Sequence, residues 1–262
     1  MQSRSSSQVS SCAVEISVPG EPEVILRGHV WENPTTKLPR EMMLVFVHQW
    51  GILGGSGRLM QGIARNSCIL GFNSITFDLR GIGSSSGRGS WCNSTEMRDV
   101  AAVCNFVQNT YKKKVFLVGS SAGAPLSGAC LDYSPNIIGG CFIGYTWGFW
   151  SSIVFGWAYN AIENSTKPKL FVVGDRDEFT SMSQYGYRMG TLKGSMNVMK
   201  LIKGKNHFEI EGPAYDKLVA EWVMEFIDNM ESIGTSLGMG ESSSGNGGKT
   251  VANAMVTTSQ PV

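Results

Sequence analysis

Histidine is scarce in this sequence: His29, His48 and His207 are the only three in 262 residues. A general base, if it is an imidazole, has to come from that short set. Charge of either sign is in little excess. Lys and Arg number 22 against 21 Asp and Glu, a formal net charge of +1, so nucleic acid and anionic membrane surfaces find no electrostatic hold. Lys112-Lys113-Lys114 is the only basic run and reads as the solvated end of a helix. Long apolar runs are missing too. The stretch from Ile137 to Trp157 comes nearest to a bilayer span and is broken by five glycines, which argues against stable membrane insertion. Met1 to Cys12 is polar and Ser-rich, without the apolar region of a secretory signal. The six cysteines are scattered with no Cys-x-x-Cys, and no His/Cys/Asp/Glu group has metal-ligand spacing. Neither a disulfide framework nor a metal or other cofactor is implied, and reduced thiols in a cytoplasmic protein are expected.

Segments that can build a core are plentiful between residues 13 and 233. The first twelve residues, and the Gly/Ser/Thr/Asn-rich stretch from 234 to 262, are expected to be disordered for want of large apolar side chains. Inside those limits, strand-like and helix-like patterns alternate. Ala13 to Val18 and Glu23 to Trp31 read as an opening antiparallel pair around Pro19-Gly20-Glu21-Pro22. Met42 to Val47 is continuously apolar, as in a strand covered on both faces. Further strands are expected at Ser74 to Phe77, Val115 to Val118, Ile137 to Ile143, Lys169 to Val173 and Asn197 to Ile202. Helices are expected between them, and a last one from Ala214 to Met230. This order predicts an α/β domain with a doubly wound, mostly parallel sheet.

The pattern that carries chemistry is Val115-Phe116-Leu117-Val118-Gly119-Ser120-Ser121-Ala122-Gly123, an apolar strand running into Gly-x-Ser-x-Gly. Such an elbow lifts Ser121 above the sheet edge on a tight strand-to-helix turn. The flanking glycines let the two backbones approach closely, and the helix N-terminus is aimed at the same point. A nucleophilic serine needs a base, and the base an orienting acid. His207 follows the strand ending at Ile202, and so lies at the sheet edge where open α/β sheets carry their sites. His29 lies inside an early strand, and His48 reads as a brace for its loop. Gly174-Asp175-Arg176-Asp177-Glu178 follows another strand and offers Asp177 or Asp175 as the acid.

The chain order serine, aspartate, histidine resembles that of the α/β-hydrolase family over roughly residues 13 to 231. The resemblance implies the α/β-hydrolase fold and a serine hydrolase acting on a carboxylic ester or thioester. Catalytic residues would be Ser121, His207 and, from the family's Gly-x-x-Asp arrangement, Asp177, with Asp175 as the alternative. It implies oxyanion-hole donors at the Ala122 N–H and, in His48-Gln49-Trp50, at the Trp50 N–H, with Gln49 standing where the family commonly has glycine. Asp78-Leu79-Arg80-Gly81-Ile82-Gly83 misses dinucleotide-loop spacing and resembles a structural turn of the family. Only about two dozen residues separate Gly144 from Lys169, too few for a lid domain. An open aromatic-walled cleft follows, with Trp147 and Trp150 as candidate wall residues and a small-molecule ester as partner. An acyltransferase, or a non-enzymatic small-ligand receptor, would use the same fold. The sequence sets no oligomeric state.

Overall fold

The computed structural model describes residues 9–35, 40–49, 51, 54–91, 95–238 and 254–258. Among the described residues the strands are β1 (Ser10–Val18), β2 (Glu21–Glu32), β3 (Met42–Val47), β4 (Asn73–Phe77), β5 (Lys114–Ser120), β6 (Ile137–Ile143), β7 (Lys169–Gly174), β8 (Asn197–Ile202) and β9 (Ala254–Thr258). They form one sheet in the order β1-β2-β4-β3-β5-β6-β7-β8-β9. The β1–β2 and β2–β4 pairings are antiparallel and all later ones parallel.

Side chains alternate across the parallel strands and divide the core in two. Met43, Val45 and Val47 of β3, with Val115 and Leu117 of β5, face one layer. That layer includes α2 (Met97–Phe106), α3 (Gly123–Ala129), α4 (Phe149–Asn164) and α5 (Met182–Thr191). Met42, Leu44, Phe46, Phe116 and Val118 face the other, built on α1 (Gln61–Ile69) and α7 (Asp216–Gly238). Every residue of β3 is buried, as its unbroken apolar run predicts.

The chain leaves β3 to build β4 on one side and returns to place β5 on the other. Such a reversal opens a crevice at the carboxyl ends of the two strands. Val47 is in register with Gly119, so the loop after β3 and the turn after β5 emerge side by side.

The structure differs from the sequence expectation at both chain ends. β1 begins at Ser10 rather than at residue 13, α7 runs on through Gly234 to Gly238, and residues 254–258 pair in parallel with β8. β8 would otherwise leave a row of unpaired N–H and C=O groups at the sheet edge, and Met-Val-Thr-Thr suits a strand.

Candidate active site

Ser121 sits at the end of β5 with φ 51°, in the left-handed region that disfavours any side chain. A fully paired frame holds it there: its N–H donates to the Ile143 carbonyl at 2.9 Å, and its own carbonyl accepts from Ala124 at 3.0 Å. The glycines of the elbow are sterically required. A Cβ on Gly119 would fall 2.4 Å from the Gly123 carbonyl oxygen, and one on Gly123 would fall 2.3 Å from that of Val47.

His207 opens a one-turn helix, α6 (His207–Ile210), rather than lying in an irregular loop. Asn206 caps that turn: its Oδ1 accepts the Glu209 N–H at 2.9 Å while Glu209 Oε2 accepts the Asn206 N–H at 2.9 Å. Glu178 Oε2 takes the His207 N–H at 3.1 Å, and the Phe179 ring packs edge-on at 4.6 Å. Gly144, at φ +58°, lies under the imidazole; a Cβ there would be 2.8 Å from His207 Cε1.

The three residues meet in sequence. Ser121 Oγ lies 2.9 Å from His207 Nε2, and His207 Nδ1 lies 2.7 Å from Asp177 Oδ2. The His207 and Asp177 side chains are fully buried. Asp177 Oδ1 accepts the N–H groups of Phe179 and Thr180 at 2.8 and 2.9 Å, which fixes the carboxylate plane and leaves Oδ2 for the histidine. Burial opposes charge on His207. The hydrogen bond and charge of Asp177, with the charges of Glu211 and Glu178, outweigh it and raise the imidazole above its ordinary value of 6.5. Asp175 plays a different part: its Oδ1 accepts the Gly204 N–H at 2.6 Å and ties together the loops that follow β7 and β8.

His48 is buried at the end of β3, and burial holds its pKa down. Its Nε2 accepts the Leu79 N–H at 3.1 Å, which leaves Nδ1–H to donate to the Gln49 carbonyl at 2.5 Å. It is a brace between two loops and does not meet Ser121. The Asp78-Leu79-Arg80 segment is a structural turn. Asp78 Oδ1 accepts the Gly57 N–H at 2.8 Å, and Arg80 is paired at 2.7 Å with Asp99 and at 2.6 Å with Glu21. His29 is exposed on β2, opposite Thr76 of β4.

The remaining site expectations fare differently. Ala122 directly precedes α3, where leading amides lack intrahelical acceptors. Trp50 lies outside the described residues, and so does the side chain of Trp150. Trp147 as a cleft wall is a correction. It is 2% exposed and packed among Tyr145, Phe171 and Tyr185, with ring centroids at 4.4, 5.0 and 5.5 Å. The chain leaves β6 through Tyr145 and Trp147 into the helix layer, so these rings seal the core. Phe149, two residues on, is 71% exposed instead. A cavity of about 470 Å³ between Ala13, Arg58 and Phe77 is lined by none of Ser121, Asp177 and His207.

Residues 43–163 match the family described as having the alpha/beta hydrolase fold. The chain has the α/β-hydrolase fold. A lidless α/β serine hydrolase from Xanthomonas campestris is 19% identical, with a TM-score of 0.68 over 84% of this chain and 95% of that one. An esterase from Pyrococcus furiosus is 18% identical, with a TM-score of 0.67 over 84% and 92%. An α/β serine hydrolase homologue from Coxiella burnetii is 20% identical, with a TM-score of 0.65 over 83% and 96%. No curated protein matches the sequence. Among the described residues there is no separate lid domain: α4 alone fills most of the space between β6 and β7. No helix among the described residues is long and apolar enough to cross a membrane.

Proposed function

We propose that this protein cleaves a carboxylic ester or thioester through an acyl-enzyme on Ser121. The observation that carries the reading is the continuous chain from Ser121 Oγ to His207 Nε2 and from His207 Nδ1 to Asp177. His207 takes the serine proton as Ser121 attacks the carbonyl carbon, then returns it to the leaving alcohol or thiol. A water molecule, deprotonated by the same nitrogen, releases the acid. Asp177 holds the proton on Nδ1 and balances the positive ring. The Ala122 N–H, with the Trp50 N–H as second donor, stabilises the oxyanion.

The substrate is a small, largely apolar ester, because the site is open. Ser121 is only partly buried, and Phe208 beside His207 is 59% exposed. Phe149 adjoins Gly148, whose Cα closely approaches the carbonyl of Phe179, the residue that covers His207; α4 therefore begins at the rim. An open rim removes little of a long chain from water, and each buried methylene is worth only about 0.8 kcal/mol. Cys68, Cys104, Cys130 and Cys141 are buried free thiols, which supports a reducing, cytoplasmic setting. Turnover of p-nitrophenyl acetate and butyrate above palmitate, with no jump at a lipid interface, is the expected result. Strict preference for palmitate with interfacial activation would overturn the open-cleft reading.

A further inference from the structure

Glu211 lies one helical turn beyond His207, and the chemistry above leaves it unused. Its side chain is 10% exposed, and Oε1 stands 4.0 Å from His207 Nε2, the nitrogen that faces Ser121. Two buried side chains reach it from the opposite side. Gln49 Nε2 donates to Ser120 Oγ at 3.4 Å, and the Ser120 hydroxyl donates to Glu211 Oε1 at 2.5 Å. The donors point one way, from amide to hydroxyl to carboxylate, a direction that suits an ionised acceptor. Gln49 stands where a glycine could make no such bond, and Ser120 is the elbow residue just before the nucleophile.

We propose that Glu211 is a positioning residue: an ionised carboxylate, anchored by Ser120 and Gln49, that stabilises the imidazolium formed when Ser121 gives its proton to His207. The proposal rests on the hydrolytic reading of the site. In that step the Ser121 O–H bond breaks, a bond forms between the proton and Nε2, and the ring becomes positive. Asp177 then balances the charge from the Nδ1 side and Glu211 from the Nε2 side, with no transfer to either acid.

The other charged groups around the ring are accounted for. Glu178, from the loop after β7, accepts the His207 N–H, and His48, from the end of β3, is neutral by its hydrogen bonds. The nearby cations Lys205 and Arg176 act on Glu209 rather than on Glu211. The Glu211 carboxyl is raised above its ordinary value of 4.5, burial being the largest cause. The charge of His207 and the bonds from Ser120 and Gln49 act against that rise, while the charge of Asp177 adds to it.

The test is the titration of the His207 ring, followed by NMR, in the wild type, Glu211→Gln and Glu211→Asp. The acid limb of kcat/KM for p-nitrophenyl acetate is measured alongside. Glutamine keeps the size and the acceptor for Ser120 and removes only the charge. Its expected effect is a fall of about one pH unit or more in both the ring titration and the acid limb, with kcat/KM on the plateau down roughly tenfold. Aspartate, which keeps the charge, is expected to hold the limb near its wild-type position, and it serves as the folded comparison if the glutamine variant is unstable. An unchanged ring titration in folded Glu211→Gln, or a limb that falls as far in Glu211→Asp as in Glu211→Gln, would overturn the proposal. A shifted ring titration in an enzyme that turns over no ester in any form would sink the esterase reading and leave the pairing of Glu211 with His207 standing.

Discussion

Asp177 and Asp175 stand two positions apart on one loop, and their hydrogen bonds assign them different tasks. Asp177 holds the histidine, so Asp177→Asn is expected to reverse the imidazole tautomer and lower kcat by about 10³–10⁴. Asp175 holds a backbone amide that asparagine can also hold, so Asp175→Asn is expected to stay within about 1 kcal/mol in stability and a few-fold in turnover. Steady-state kinetics and thermal melts on the pair separate the two, and the opposite ranking would move the acid to Asp175. The pH dependence belongs to the same residues. His207 is a base only when neutral, and its pKa is raised, so activity is expected to rise with pH through a midpoint above 6.5. A limb at or below 6.5 would show that the acids around the ring do not act together. The meeting of Ser121, Asp177 and His207 was legible in the sequence because strand ends, chain order and residue type can all be read from it directly. Glu211 was not. Its relation to His207 depends on residues 207–210 being a helical turn, and the sequence reads as a loop there.

At the scale of elements, strands β2 to β8 were read to within two residues at each end, because unbroken or alternating apolar runs fix which faces are covered. The aromatic segment between β6 and β7 was harder. Tyr145, Trp147, Phe149, Phe155, Trp157 and Tyr159 carry no periodicity that separates rim from core until the helix axis is known. With that axis in place, Phe155 and Tyr159 turn inward beside Trp147, and Phe149 turns outward. Trp147→Ala is therefore expected to cost roughly 3–5 kcal/mol of stability and to lower the melting temperature by about ten degrees or more. The preference between acetyl and butyryl esters is expected to stay the same. A stable variant with altered acyl preference would return Trp147 to the cleft.

At the scale of the whole molecule, the sheet ends on a strand supplied from the far end of the chain. Composition alone predicts that the segment from residue 234 onward contributes nothing, because it buries too little to offset its ordering entropy. The parallel pairing of residues 254–258 with β8 leads to a different expectation. Truncation after Gly238 is expected to lower the melting temperature by a few degrees and to promote concentration-dependent self-association through the uncovered β8 edge, with turnover retained at low concentration. Calorimetry and sedimentation measure both effects, and an unchanged, monomeric truncation would show that β9 leaves the sheet unaffected.

The central claim is that Ser121 is the nucleophile of a working triad, and covalent labelling tests it most directly. Wild-type protein is treated with a fluorophosphonate at neutral pH, digested and sequenced by mass spectrometry, alongside Ser121→Ala, whose missing hydroxyl leaves the β5 strand and the α3 helix intact. The expected result is one adduct, on Ser121, formed at a rate that follows the ionisation of His207, and none in the variant. An adduct on Ser120 or another serine, or equal labelling of Ser121→Ala, would contradict the assignment.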